Sequence, residues 1–203
     1  CGTDMHIFNG DGGSFEVNPP LIPGHEFSGI VTETGAETDN ALSGKRVGIF
    51  PLIPCGKCEF CRSRRYELCR SYSYLGSRRA GGFAEYVAVP AWNLIELPEN
   101  VSFEQAAMLE PMAVAMHVMR LVGVRQEQTV AICGLGTIGL LLYMLLCDKG
   151  VKRVYLIGNR EHQKETAVEL GLDGRYFCNS RLENADEWLD RMAETGADVF
   201  FDC

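Results

Sequence analysis

From residue 129 onward, short apolar runs alternate with longer polar or mixed segments. Residues 129–133, TVAIC, form a β-branched apolar run; Gly134, Gly136 and Gly139 interrupt it, and residues 140–147, LLLYMLLC, resume it. Residues 130–147 carry no charge and approach the length a bilayer requires. The glycines break that run, however, and its second piece is too short to span alone. A buried strand turning sharply into a buried helix accounts for the same residues, since such elements are apolar all round. Residues 153–157, RVYLI, read as the next strand. Residues 161–170 read as a polar helix closing at Gly171, a residue suited to the left-handed position after a helix. A short strand is expected at 175–178. Asn184 and Glu187 then stand at capping-box spacing, opening a helix whose Trp188, Leu189 and Met192 share a face and which stops near Gly196. Residues 197–201 form a further buried strand. The alternation predicts a parallel sheet with crossover helices.

The first half of the chain is patterned differently. Candidate strands at 27–34, 46–50 and 83–89 are separated by Gly- and Pro-containing turns, as in a small antiparallel barrel or sandwich. The join falls in a helical region, 102–122, which Ser102 and Gln105 open as a capping box and Pro111 interrupts. Pro111 also biases Glu110 out of the helix, a suitable place to aim a carboxylate into a cleft. There is no internal repeat or low-complexity segment. The 203 residues, 46% hydrophobic and 23% charged, have the composition of an ordinary globular protein, which excludes disorder, collagen and coiled coil. With 19 Lys+Arg against 27 Asp+Glu, the net charge of −8 argues against a general nucleic-acid binder. The chain starts at Cys1 without Met and stops on a strand, so both ends read as cut and a missing targeting signal carries no weight.

Nine cysteines demand a reason. Cys55, Cys58, Cys61 and Cys69 follow the pattern C-x2-C-x2-C-x7-C, so four thiolates within 15 residues can surround a tetrahedral ion. Gly56 allows a tight first turn. Bacterial ferredoxins share the first two spacings but continue with x3 and Cys-Pro, whereas here seven residues intervene and Arg70 follows. Zinc is the better reading. Disulfides between cysteines three apart would be strained. Four sulfur ligands close the coordination shell, so this zinc is expected to be structural. Arg62, Arg64, Arg65 and Arg70 crowd the loop, where a solvated face is favoured over nucleic-acid contact. Cys133, Cys147, Cys178 and Cys203 sit in apolar segments and are expected to be small core residues.

A second set comprises Cys1-Gly2-Thr3-Asp4-Met5-His6, Gly24-His25-Glu26 and Glu110-Pro111. Each is weak alone. In this order, with the four-cysteine loop and a downstream G-x-G-x-x-G, the chain resembles the medium-chain, zinc-dependent dehydrogenase family of alcohol and polyol dehydrogenases. Within that family the resemblance is strongest to the polyol branch of galactitol-1-phosphate 5-dehydrogenases and sorbitol dehydrogenases, with L-threonine 3-dehydrogenases nearby. It is carried by residues 51–55, PLIPC, by Glu110-Pro111 and, most specifically, by residues 76–86, GSRRAGGFAEY. The resemblance implies a β-rich GroES-like catalytic domain at 1–112, lacking its N-terminus, and a Rossmann-type nucleotide domain at 113–203, lacking its C-terminal half. It also implies that Cys1, His25 and Glu26 hold a catalytic zinc, with Glu110 a further carboxylate acting directly or through water. Such a mixed set leaves the open position that catalytic zinc needs. Thr3 and His6 match the proton-relay positions: a zinc-bound alcohol loses its proton readily, a hydroxyl can pass that proton on, and a histidine can deliver it to solvent. Asp4 either orients a ligand or is an exposed carboxylate.

Gly134, Gly136 and Gly139, with Thr137 and Ile138 between them, follow a predicted strand and open a predicted helix, the context that gives a dinucleotide fingerprint its meaning. An NAD enzyme should show an acidic residue about 20 positions on. Here, nineteen residues after Gly139, stand Gly158, Asn159 and Arg160, a sequence similar to the Gly-Ser-Arg of NADP-dependent members. A small residue makes room for a 2′-phosphate and an Arg can pair with it, so NADP is favoured over NAD.

The combined expectation is an α/β oxidoreductase with one catalytic and one structural zinc. It would transfer hydride between a secondary alcohol, a polyol or sugar-alcohol phosphate, and NAD(P). Arg78 and Arg79 are candidates for a substrate phosphate or a solvated pair. The alternatives are an L-threonine 3-dehydrogenase and a non-catalytic regulatory protein that binds zinc and nucleotide. The resemblance further implies a cytoplasmic homodimer or homotetramer with no nucleic-acid or membrane partner.

Overall fold

A computed structural model describes residues 1–10, 19–173, 176–192 and 196–203, which divide into two compact units, Cys1–Glu110 and Pro111–Cys203. In the first unit, α1 (Gly2–Asn9) is followed by β1 (Ser28–Ile30), β2 (Arg46–Ile49), β3 (Leu52–Ile53), α2 (Glu59–Arg62), β4 (Ser73–Tyr74), β5 (Leu94–Glu96) and α3 (Phe103–Ala107). Strands β1, β2 and β5 make an antiparallel sheet in that order, with Gly29 opposite Val47 and Gly48 opposite Ile95. Strands β3 and β4 make a separate antiparallel ribbon. Alternation along β2 turns Val47 and Ile49 to one side, where they pack with Leu75 and are flanked by Phe27, Val31, Ile53, Val89 and Leu94. On the other side of β2, a side chain at Gly48 would collide with Leu109.

Two expectations for this unit need correction. Residues 83–89 form no strand: the free edge of β2 is taken by β5, a three-residue segment too short to show periodicity, and Phe83 and Tyr86 remain 68% and 75% exposed. The helical region does not break at Pro111. It breaks at Met108, between α3 and α4 (Leu109–Val122), and Glu110 is helical. Pro111 lies in the first turn of α4, where its missing N–H has no helical carbonyl to meet. The capping box of α3 forms as expected, Gln105 N donating to Ser102 Oγ at 3.2 Å and Ser102 N to Gln105 Oε1 at 2.9 Å.

The second unit alternates β6 (Thr129–Cys133), α5 (Thr137–Lys149), β7 (Arg153–Gly158), α6 (Glu161–Glu169), β8 (Phe177–Asn179), α7 (Ala185–Met192) and β9 (Val199–Asp202). All four strands are parallel, in the order β8-β7-β6-β9. Val130, Ile132, Val154 and Leu156 point to one face and pack with Leu141, Leu142 and Leu146 of α5. Ala131, Tyr155, Ile157 and Cys178 point to the other and pack with Trp188 of α7. A sheet covered on both faces explains why its strands are apolar without alternation. Each fully buried leucine contributes about 1.5–3 kcal/mol.

Helix ends follow local chemistry. Gly171, at φ 97°, closes α6, with Leu172 N reaching back to Ala167 O at 2.9 Å. Asn184 Oδ1 accepts from Asp186 N at 3.1 Å and Glu187 N at 3.4 Å, opening α7. Arg175, the first residue of an expected strand, and the Met192 side chain lie outside the described residues. Cys178 is buried and Cys133 half-buried, but Cys147 and Cys203 are exposed rather than core residues: the helix places Cys147 on its outward side. Among the described residues, no helix is long and apolar enough to cross a membrane. The apolar stretch is split between β6 and α5.

Candidate functional site

The four-cysteine loop lies in the first unit and wraps around α2. Gly56, at φ 72°, turns the chain after Cys55. The four Sγ atoms lie within 4.8 Å of one another, with Cys58 to Cys61 at 3.5 Å and Cys55 to Cys61 at 3.9 Å, and all are free thiols. Cys61 and Cys69 are buried. The thiols are unlike: backbone N–H groups of Cys61 and Arg70 bring Cys58 down to about 6, whereas removal from solvent and the neighbouring sulfurs push Cys61 up to about 12. Four sulfurs this close repel one another once ionised, and a zinc ion suits their number, softness and separation. The surrounding arginines are partly occupied: Arg70 pairs with Glu59 at 2.5 Å, Arg65 approaches Glu67 at 4.0 Å, and both lie over the Phe60 ring at 5.8 Å. That is a solvated, self-paired face.

A second donor cluster joins the start of α1 to the segment before β1. The ligating atoms of Cys1, His25 and Glu26 lie within 4.8 Å of one another, and Cys1 Sγ is 3.0 Å from His25 Nε2. Behind them sits Asp4, only 8% exposed. Its Oδ1 lies 3.3 Å from His25 Nδ1 and accepts from Gly24 N at 3.0 Å, while Oδ2 accepts from the Cys1 nitrogen at 2.7 Å. A carboxylate at Nδ1 holds the proton on that nitrogen and leaves Nε2, the atom facing Cys1, able to bind a metal. Of the two readings of Asp4, the exposed one fails: the carboxylate is buried against His25.

Glu110 is outside this set of three. Its Oε1 accepts from Tyr74 Oη at 3.0 Å, and the Tyr74 ring meets His25 edge-on at 5.9 Å. Burial, the Glu110 charge and the hydrogen bond to it all push the Tyr74 phenol above its ordinary value, so it remains a donor. Tyr74 therefore links Glu110 to the cluster. Nothing in its local sequence distinguishes it from Tyr72. Thr3 and His6 stand one turn apart on α1, Thr3 half-buried and His6 exposed. Arg78 is stacked on Tyr72 at 4.1 Å and donates to its carbonyl at 3.0 Å, an engaged surface side chain.

The glycine-rich stretch 76–86 has a steric task. Gly81 N and Gly82 N donate to Ile22 O at 2.8 Å and Gly24 O at 2.9 Å, and Phe83 N donates to Pro23 O at 3.0 Å. A Cβ on Gly76 would stand 2.5 Å from Gly24 O, and one on Gly81 would overlap the same carbonyl. Backbone thus packs directly on backbone and holds the turn that presents His25 and Glu26.

In the second unit, the glycine-rich turn joins β6 to α5. Side chains at Gly134 and Gly139 would run into the carbonyls of Cys203 and Gly134, whereas a Cβ on Gly136 would meet nothing within 4 Å. The first and third glycines are therefore required by packing, and the second faces open space. Gly136 caps α5 without a side chain, and the helix's own bonding starts with Leu140 N to Gly136 O at 3.1 Å. The amides of Thr137, Ile138 and Gly139 are left by the helix for another acceptor, as a pyrophosphate requires. The strand order also reverses here, between β6 and β9, where such folds bind nucleotides. Gly158 ends β7, and Asn159 and Arg160 follow it as exposed residues before α6. Gln163, on α6, contacts both this turn and the glycine loop; no motif marks it.

Known proteins match both units. Residues 1–99 match the alcohol dehydrogenase GroES-like domain. Across its whole length the chain is 36% identical to an L-idonate 5-dehydrogenase of Vitis vinifera, covering 57% of that protein. Over 84% of the chain it is 38% identical to an L-threonine 3-dehydrogenase of Pseudoalteromonas atlantica (strain T6c / ATCC BAA-1087), covering 50% of it. Among solved structures, galactitol-1-phosphate dehydrogenase from Escherichia coli superposes with a TM-score of 0.83 at 33% identity, over 96% of this chain and 55% of that one. A protein of Sinorhizobium meliloti 1021, assigned as a zinc-binding dehydrogenase and bound to NADP, gives 0.88 at 34%, over 100% and 59%. The chain thus spans a little over half the length of most of these proteins.

Proposed function

We propose, from the premise that this chain belongs to the medium-chain zinc dehydrogenase family, that it carries the zinc centres and the nucleotide loop of an NAD(P)-dependent polyol dehydrogenase. Residues 1–112 are read as the catalytic domain and 113–203 as the nucleotide domain. The observation that carries the reading is the convergence of a thiol, an imidazole and a carboxylate, from Cys1, His25 and Glu26, on one point behind which Asp4 orients the imidazole. When bound, zinc there supplies Lewis-acid polarisation of an alcohol oxygen, and the nicotinamide supplies the hydride acceptor.

The remaining work falls to the chain's own groups. Cys1, His25 and Glu26 hold the ion, and Glu110, restrained by Tyr74, serves as the further carboxylate. Thr3 takes the alcohol proton and His6 passes it to solvent. Amides of the 134–139 turn bind pyrophosphate, and Gly158, Asn159 and Arg160 receive the adenosine ribose, with the 2′-phosphate of NADP preferred. Cys55, Cys58, Cys61 and Cys69 hold a structural zinc. Similar solved structures hold NADP in one case and NADH in another, so the preference for NADP rests on Gly158, Asn159 and Arg160 alone. Family resemblance supports a small-molecule polyol or polyol phosphate as the partner, in a cytoplasmic homodimer or homotetramer.

A second reading has its own support: an L-threonine 3-dehydrogenase relative is as similar in identity as the polyol relatives. The whole protein that carries this chain should be assayed on free polyols, polyol phosphates and L-threonine, each with NAD and NADP. Turnover of a polyol or its phosphate with NADP is the expected result. Turnover of L-threonine alone would replace the substrate assignment, and a higher kcat/KM with NAD would overturn the cofactor preference.

A further inference from the structure

The side chain of Gln163 ties the turn after β7 to the glycine loop. Gln163 Oε1 accepts from Asn159 N at 2.8 Å and from Arg160 N at 3.1 Å, and its Nε2 donates to Leu135 O at 2.9 Å. One amide thus joins the segment expected to meet the ribose to the segment expected to meet the pyrophosphate. The same amide closes the space in front of Gly158. A Cβ built there would stand 2.7 Å from Gln163 Oε1 and 3.0 Å from the Phe177 ring. Gly158 has no positive φ, so its backbone does not require glycine. The constraint comes from these neighbours: Gln163 Oε1 is the end of a flexible side chain that could move only by giving up its hydrogen bonds to Asn159 N and Arg160 N.

We infer that Gln163 is a specificity-determining residue for the nucleotide, excluding an acidic side chain at position 158 and holding the Asn159–Arg160 turn for a ribose 2′-phosphate. The inference rests on the nucleotide reading of the second unit. A carboxylate at the end of this strand is how a dinucleotide fold grips the two ribose hydroxyls of NAD. At Gly158 such a group would collide with Gln163 Oε1. It would also face that oxygen as a second acceptor, because the amide's donor side points to Leu135. With the carboxylate excluded, the charged group of the turn is Arg160, whose guanidinium suits a phosphate and not a hydroxyl pair. The absence of an acid at 158 and the presence of Gln163 are therefore one device.

The test is a double-mutant cycle on the whole protein, reading the dissociation constants of NADPH and NADH by fluorescence titration, with melting curves to check folding. Gly158→Asp alone is expected to weaken NADPH without tightening NADH. In Gly158→Asp/Gln163→Ala, which gives the carboxylate room, NADH should bind at least about 10-fold more tightly than to Gly158→Asp, the worth of one good hydrogen-bonding group. Gly158→Ala tests the steric half on a milder change: it should weaken both nucleotides in the parent and be tolerated in Gln163→Ala. If Gly158→Asp gains NADH equally with and without Gln163, the inference falls and the nucleotide reading stands. If the parent binds neither nucleotide, both fall.

Discussion

The two donor clusters of the first unit are built on opposite plans. The four-cysteine loop gathers identical donors from 15 consecutive residues, with two of its cysteines buried and sulfur its sole donor type. The other cluster gathers three different donors from segments 24 residues apart, and its alignment depends on a buried carboxylate, a phenol and three close-packed glycines. A short loop can specify a metal by spacing alone, but such a site has no place for a substrate. An open site with unlike ligands needs the fold to hold each donor, and so its supporting residues outnumber its ligands.

That contrast can be broken by experiment. The largest effect is expected from Cys69→Ser, which should remove one zinc per chain and lower the melting temperature by more than about 15 °C, read by metal analysis and calorimetry. A melt unchanged after that substitution would deny the loop its structural role. His25→Gln should remove the other zinc and lower turnover in the whole protein by more than about 100-fold, with a far smaller change in melting. Equal destabilisation by the two variants would erase the distinction between the clusters. Asp4→Asn sharpens it: zinc affinity at the His25 centre should fall by about 10- to 100-fold in chelator competition, with the cysteine loop unaffected. An unchanged affinity would reduce Asp4 to a cap on α1. Arg70→Ala, which breaks an exposed pair with Glu59, should change stability by less than about 1 kcal/mol, marking the loop's charged rim as incidental.

What could be read before the fold was known follows the same division. The cysteine loop and the glycine turn are each local, and the parallel sheet announces itself because strands buried on both faces must be apolar throughout. Strands β3, β4 and β5, each two or three residues long, leave too few positions for a period to show. Residues 83–89 have strand composition but no ladder, because pairing is decided by which edge is free. Glu110 was legible as a carboxylate, but its place inside α4 was not, since a proline in the first turn costs the helix little. Asp4 could be read either way until burial decided it. Tyr74 and Gln163 act across 36 and 28 residues, through contacts that no neighbouring motif encodes.

The backbone-on-backbone packing around Gly24 has a consequence for genetics. If every position were replaced in turn and activity scored, Gly24, Gly76 and Gly81 would be as intolerant as His25, although none of them offers a side-chain donor atom. A Cβ at any of these positions would displace the loop that carries the histidine. A map of inactivating substitutions would therefore draw this centre larger than its chemistry, with a ring of positions that contribute backbone bonds and the absence of a side chain.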